Sequence, residues 1–440
     1  MFEIKVELEQ DHQQLGEVVV VADAKKNTEN AIITQQRTSL VMQTGASAQQ
    51  ITKTQDKDAS EVIRRVPGIS IIEEKFVMVR GFSQRYNNVW IYNSAVPSSE
   101  ADARAFSFDI IPSSQLDNML VVKSPALEYP ADFSGGFILV NTKDVPSSNL
   151  FTISVGTSLN DQTHLKKNLY NKGSGTDFLG FDNGFCSLKG GINVVLSPMN
   201  NGYDLLNNGL NNDWTVKDRR PLVDLSLNMN FSRCWVDSSG RTLAILGTVN
   251  YSNSYRTYLD MDNNLFGAYD MTHDCSNYLR KSIDDQYNHS VRIGTMLNFT
   301  YIPASGNSRY EFKNIFNQLG KDRYTYRKGT DAQSDYEESA EYYYQSRTTY
   351  NGQFTGKHTL GNTDKLDWSA GYSYANRNMP DRRRYTTVLN EETNQLEVEN
   401  LNEINREFSR LDEHILSANI NYQHDFSFGI FTPSLKVGAY

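Results

Sequence analysis

From residue 150 onward, long amphipathic strands are joined by connections that are short at one end and long at the other. Phe151, Ile153 and Val155 alternate with Thr152, Ser154 and Gly156. Leu225, Leu227, Met229 and Phe231 alternate with Ser226, Asn228 and Asn230, and the same pattern recurs over 291–301, 367–374 and 416–422. Period-2 runs set an apolar face against a polar one. About nine such strands can be counted, several longer than the ~9–11 residues that cross a bilayer. Short turns are expected at 237–240, 303–307, 361–364 and 426–429, and long polar loops at about 160–220, 260–284, 328–337 and 380–408. An outer-membrane β-barrel obeys that rule. A soluble β-sandwich or β-helix alternates in the same way locally, but its strands usually run to about 5–6 residues.

Composition narrows the choice. The chain has 440 residues, 43 Lys and Arg against 52 Asp and Glu, a net charge of -9 and 25 tyrosines. No apolar run is long enough for a transmembrane helix, and no basic stripe suits nucleic acid. Aromatic and β-branched residues are too plentiful for wholesale disorder. Cys186, Cys234 and Cys275 are widely spaced, and Thr272-His273-Asp274-Cys275 lacks the second cluster that a metal site needs. No GxSxG, phosphate loop, HExxH or GxGxxG occurs. The reading is therefore not an enzyme, with no cofactor and no metal. Met1 to Lys5 lacks the features of a signal peptide, so the chain is expected to lack its leader or to begin within a larger protein.

Before residue 147, helix and strand signals mix. Phe2, Ile4, Val6 and Leu8 alternate with charged residues as in a strand, and Glu17 to Ala22 is a β-branched run in a polar stretch. Asp58-Ala59-Ser60-Glu61 reads as a capping box ahead of an apolar face of Val62, Ile63 and Val66, closed by Pro67-Gly68. Short strands are expected at 69–72, 76–80, 88–92, 118–123 and 137–142. Gly135-Gly136 is expected to serve the backbone.

The segment Glu17-Val18-Val19-Val20-Val21-Ala22 resembles a TonB box, and 58–69 resembles the first helix of a TonB-dependent receptor plug. Val79-Arg80-Gly81-Phe82, Ile91 to Pro97, Ile111 to Ser114, Val121 to Pro125 and Phe133 to Lys143 follow in that family's order. The chain thus resembles a TonB-dependent outer-membrane receptor. The implied fold is a mixed α/β plug domain followed by antiparallel transmembrane β-barrel strands, incomplete at about nine where the family barrel has ~22. The implied organisation is the end of a carboxypeptidase-regulatory-like domain at 1–14, a TonB-box-like segment at 15–24, the plug at 25–146 and the first part of the barrel at 147–440. The end of the chain, Leu435 to Tyr440, lacks the apolar alternation of a closing strand, so the chain is read as truncated. Asn93-Ser94 stands where Asp/Asn-Gly is more usual.

The resemblance implies active import of a scarce substrate (a siderophore-bound iron, an oligosaccharide or a peptide) across the outer membrane, with the plug in the lumen facing the periplasm. Glu17, Val18, Val19, Val20, Val21 and Ala22 would bind the C-terminal domain of TonB, in the TonB–ExbB–ExbD complex, by strand addition. Arg80 and Gly81 would tie plug to barrel. Ser83, Gln84, Arg85, Tyr86 and Asn87, with Asp102 and Arg104 in a second apex loop, would touch the small-molecule, glycan or peptide substrate. A surface lipoprotein is a further implied partner; nucleic acid is not. Two other readings stay open: a surface receptor or adhesin without energy coupling, and a soluble β-rich carbohydrate-binding protein.

Overall fold

The computed structural model describes residues 28–39, 41–98, 100, 105–127, 129–143, 149–187, 210–398, 404–429 and 431–440. The TonB-box-like segment, the 1–14 strand, Asp102, Arg104 and the junction near 147 lie outside them.

The front unit is a small α/β layer. Helix α1 (Glu29–Thr38) is capped by Thr28, whose hydroxyl accepts from the Ala31 amide. Strand β1 (Gln43–Ser47) leads into α2 (Ala48–Thr54), and α3 (Ala59–Ile63) follows. The expected capping box forms with a one-residue offset. Asp58 accepts from the Ser60 and Glu61 amides, while Glu61 reaches back to the Lys57 amide at 2.7 Å. Val62, Ile63 and Val66 are buried as the spacing requires. Strands β2 (Ile69–Ile72) and β3 (Phe76–Val79) form a hairpin. Strands β4 (Asn88–Ile91), β5 (Ser94–Ala95), β6 (Leu116–Val122) and β7 (Phe137–Thr142) join β1 in a five-stranded sheet, in the order β1-β6-β7-β4-β5.

Two backbone details follow from residue type. The β4–β5 turn places Tyr92 at φ 56° and Asn93 at φ 69°, so the left-handed hairpin turn forms without glycine. Gly136 is needed for close approach: a Cβ there would lie 2.9 Å from the Val79 side chain.

The second unit is one antiparallel wall. Its strands are β8 (Leu150–Ser158), β11 (Asp224–Val236), β12 (Thr242–Asp262), β14 (Cys275–Ile302), β15 (Ser308–Asp331), β16 (Tyr336–Leu360), β17 (Asp364–Asn390), β19 (Asn405–Asp425) and β20 (Ser434–Ala439). They are hydrogen-bonded in that order, and the sheet stays open, an incomplete barrel. Strands β9 (Asn168–Asn171) and β10 (Val216–Arg219) form a separate hairpin; β13 (Leu265–Asp270) and β18 (Gln395–Glu397) pair with β14 and β17. The nine-strand path agrees with the expected count.

The short turns fall where expected. Three of the four long loops do not. Strands β14 to β17 run on through much of 260–284, 328–337 and 380–408, reaching 24 to 28 residues. Beyond a bilayer both faces of a strand can be wet, so polar sequence pairs as strand and hides the end of the crossing.

Register fixes the two faces. On β14 and β15, Arg292, Asn298, Lys313, Ile315 and Leu319 face the plug. Leu297, Tyr301 and Phe312, of opposite parity, are exposed on the other side. With Phe151, Ile153, Val155, Phe231, Val249, Phe354, Leu416 and Ile420 they form an apolar belt along the short-turn half of the wall. An exposed apolar band of this kind is the surface that a lipid-facing or partner-facing wall needs.

Replacing Gly136 by Val should overpack the β3–β7 contact and cost the plug about 1–3 kcal/mol. Thermal melting of the purified protein checks this; an unchanged plug transition would contradict the close approach.

Candidate plug–wall interface

The site is the contact between the plug and the inner face of the wall. Ile315 and Leu319 of β15 belong to the plug's own hydrophobic cluster, beside Phe108, Ile110 and Ile111. One core therefore spans both units. Polar ties surround it. Ser94 Oγ accepts from Gln353 Nε2 at 3.0 Å, Ser373 Oγ donates to the Ala95 carbonyl at 2.9 Å, and the Ser98 amide donates to Glu413 at 2.9 Å. Ser114 donates to Asn250 at 2.6 Å, and Asn298 donates to the Lys143 carbonyl at 3.0 Å.

At the centre sits Arg347 of β16, its side chain only 2% exposed. Its guanidinium bonds Asp109 Oδ2 at 2.7 Å, Glu100 Oε1 at 3.1 Å and the Ser107 hydroxyl. Lys321 reaches Asp109 at 2.9 Å, and Arg377 lies 3.8 Å from Glu100. Lys75, from the plug itself, also pairs with Glu100 at 3.2 Å. Burial opposes charge on Asp109, but Arg347, then Lys321 and Arg292, outweigh it and hold the carboxyl far below the usual carboxylate range. Arg292 makes a second tie, 3.1 Å from Asp58, the cap of α3.

The sequence-expected residues lie elsewhere. Arg80 takes φ 54° and donates to the Gly135 carbonyl at 2.9 Å, a bond within the plug. Gly81 takes φ 80° beside it. Burial, then the nearby Arg80 guanidinium, pull Lys123 below the ordinary lysine range. Among the described residues no hydrogen bond runs from 80–87 to the wall, and the charged ties to the wall run through Arg347, Lys321, Arg377 and Arg292. The physical reason is geometric: the Arg80 backbone amide is bound to the Gly68 carbonyl and its side chain closes the 133–136 segment. Ser83 to Asn87 form a short 3-10 turn between β3 and β4, with Arg85 and Tyr86 exposed and stacked at 5.5 Å. Asn87 is turned inward, donating to the Val77 carbonyl at 2.7 Å.

Above Arg347 on the same inner face, Glu341 pairs with Arg323 at 2.9 Å and also with Arg382, and both guanidiniums flank the Tyr343 ring at 4.7 and 5.6 Å. Arg327 and Asp284 make a bidentate pair with bonds of 2.7 and 2.8 Å. Sequence reasoning missed all of these residues. The available signal was parity: Arg323, Arg327, Tyr343 and Arg347 fall at polar positions of long amphipathic strands. The three cysteines are free, and the described residues hold no cluster of His, Cys, Asp or Glu fit for a metal.

Residues 35–137 match the family model described as TonB-dependent Receptor Plug Domain. Among solved structures, the chain is similar to the ferric citrate transporter FecA in its unliganded form, at 12% identity and TM-score 0.37, over 92% of this chain and 57% of that one. It is similar to the RagAB peptide importer in the open-open state, at 12% identity and TM-score 0.37, over 90% of this chain and 54% of that one. It is also similar to the ferric-catecholate import receptor Fiu from E. coli K12, at 10% identity and TM-score 0.35, over 88% and 67%. The chain thus spans little more than half the length of the first two. No curated protein matches it.

Replacing Arg347 by Ala leaves Glu100 and Asp109 buried without their main counter-charge, at a cost of about 3–5 kcal/mol. Amide exchange over 105–111 should rise sharply; unchanged protection would refute the central role. The pH dependence has a definite sign. Because the folded pKa of Asp109 is depressed, its contribution is full above about pH 4, the unfolded value, and is lost only as pH falls through the lower folded value. Protection over 105–111 should therefore stay level from neutral pH down to about 4; a fall beginning near pH 6 would contradict it.

Proposed function

We propose that this chain, whose residues 35–137 are a TonB-dependent receptor plug domain, acts in TonB-dependent import of a substrate across the bacterial outer membrane. The observation that carries the reading is a plug docked by a shared core and a buried ion cluster on the inner face of an amphipathic β-wall whose outer face is apolar. A plug held partly by ion pairs exposes less apolar surface on release than one merged wholly by apolar packing.

Substrate meets the polar inner face above Arg347, where Arg323, Tyr343 and Arg382 offer stacking and hydrogen-bond donors, and the exposed Arg85 and Tyr86 of the plug. Glu17 to Ala22 lends its backbone to the TonB C-terminal domain, the β-branched side chains keeping it extended. Pull on that segment then reaches the plug. The substrate class stays among ferric siderophores, oligosaccharides and peptides, and a lipoprotein partner belongs to the same proposal.

Deleting residues 17–22 should abolish energised uptake and spare substrate binding to whole cells; uptake at the parental rate would sink the coupling role. The double substitution Arg85→Ala, Tyr86→Ala should weaken substrate binding about tenfold or more, at ~1.4 kcal/mol per factor of ten. Retained affinity would remove the turn from the substrate path.

A further inference from the structure

The wall is one strand thick, so each strand offers alternate residues to two different neighbours. Register sets two cross-strand rows side by side. The inward row runs Arg292, Leu319, Arg347 and Arg377. All four serve the plug. Arg292 pairs with Asp58, Leu319 lies in the plug's core, Arg347 holds Asp109 and Glu100, and Arg377 lies 3.8 Å from Glu100. The outward row, one residue away on β14, β15 and β16, runs Tyr251, Ile293, Gln318 and Thr348.

This outward row is not bare. The 3-10 turn Asp177–Leu179, part of the connection between β8 and β11, lies against β14 and β15. Tyr251 donates to the Phe178 carbonyl at 3.0 Å, and Gln318 Nε2 donates to the Gly180 carbonyl at 2.5 Å. Thr348 donates to Gln318 Oε1, which fixes that amide. Two glycines allow the approach: a Cβ on Gly320 would lie 2.6 Å from the Gly180 Cα. Val291, the partner of Gly320 on β14, is 2% exposed, whereas Leu297 on the same face is 45% exposed. The turn is also locked within itself. Gly180 takes φ 78° and donates to the Asp177 carbonyl at 2.9 Å, and the Thr176 hydroxyl donates to the Phe181 carbonyl at 2.7 Å.

On β15 the alternation covers five residues. Gln318 and Gly320 meet the turn and Asp322 lies 3.8 Å from Arg219 of the same connection, while Leu319 and Lys321 meet the plug. A strand packed tightly on both faces has no slack volume into which it can roll, so what pins one face steadies the other.

We propose that the turn at 176–181 is a back brace for the plug's seat, and that its docking on the outer face and the plug's docking on the inner face stabilise each other through β15 and β16. Gln318, Gly320 and Thr348 are then positioning residues, acting on the plug only through Leu319, Lys321 and Arg347. The turn hangs from the ends of β8 and β11 where Ser158 pairs with Asp224, the long-loop side of the wall. A contact that lifts it there would weaken the plug's hold. The inference rests on the plug's seat and is independent of whether the protein transports anything.

Coupling between two docked elements is reciprocal, and the test uses that. Hydrogen exchange of the full chain in detergent is followed over 174–182 and 105–111. Gly320→Val drives a side chain into Gly180 and should speed exchange in both regions, by about tenfold over 105–111. Thr348→Val removes a hydroxyl without adding bulk; it should act in the same direction and more weakly, and it serves if the first variant does not fold. Arg347→Ala should in turn speed exchange over 174–182. The double variant Gly320→Val, Arg347→Ala should fall short of the product of the two separate effects. A loosened turn with 105–111 at the parental rate, or an Arg347→Ala protein with 174–182 unchanged, would overturn the proposal. Leu297→Ala, on the same outward face in the bare belt, should alter neither region; loosening of the plug by this variant to the same extent would mean a general softening of the wall and would also overturn it.

Discussion

The arrangement depends on one buried guanidinium. Arg347 leaves water to sit between Asp109 and Glu100 of the plug and bonds both carboxylates there. Desolvating such a group is costly, and the cost is repaid only by near-complete hydrogen bonding. Lys321, Arg377 and Lys75 add further positive charge around the two acids, so the cluster fixes where the plug stands relative to β15, β16 and β17. Around it, Ile315 and Leu319 extend the plug's apolar core into the wall. Apolar contact gives adhesion, and the ion pairs give position. Registering a plug this way suits a part that must come away and return to one place.

The faces of the wall follow from the same parity. Side chains that alternate inward carry charge, amide and hydroxyl groups toward the plug, and those that alternate outward carry Leu, Val, Phe and Tyr. The mean composition of the chain is hydrophilic because the two populations average out. The outward population is itself divided. Along the short-turn half it is bare and apolar; above, it is Tyr255, His289, Tyr324 and Tyr342, against which Arg219 and Trp214 pack. Such a change along single strands is what a boundary between lipid and water would require.

Much of this was legible in the sequence. The capping box at Asp58, the helix face of Val62, Ile63 and Val66, the short turns and the nine-strand path all follow from local rules of spacing and turn chemistry. What was not legible depends on pairing between distant segments. Strand ends at 260–284 and 328–337 look like loops because polar residues pair as strand once both faces are wet. The bond of Arg80 to the Gly135 carbonyl could not be read locally, because its partner is 55 residues away. Arg347 was unremarkable in sequence, since nothing local says which polar position of a strand will meet an aspartate 238 residues earlier. The seat of Gly180 on Gly320 is a close approach that no local pattern announces.

The central claim is that the plug works by leaving its seat on the wall. It is tested most directly by tethering that seat. A Cβ on Gly371 would lie 3.2 Å from the Ser94 Cβ, near the separation a disulfide spans. The pair Ser94→Cys, Gly371→Cys, in a background with Cys186, Cys234 and Cys275 replaced by Ser, can be assayed for energised uptake before and after reduction. The account predicts that oxidised protein binds substrate but does not import it, and that a reductant restores import. Import at the parental rate by fully oxidised protein would contradict it.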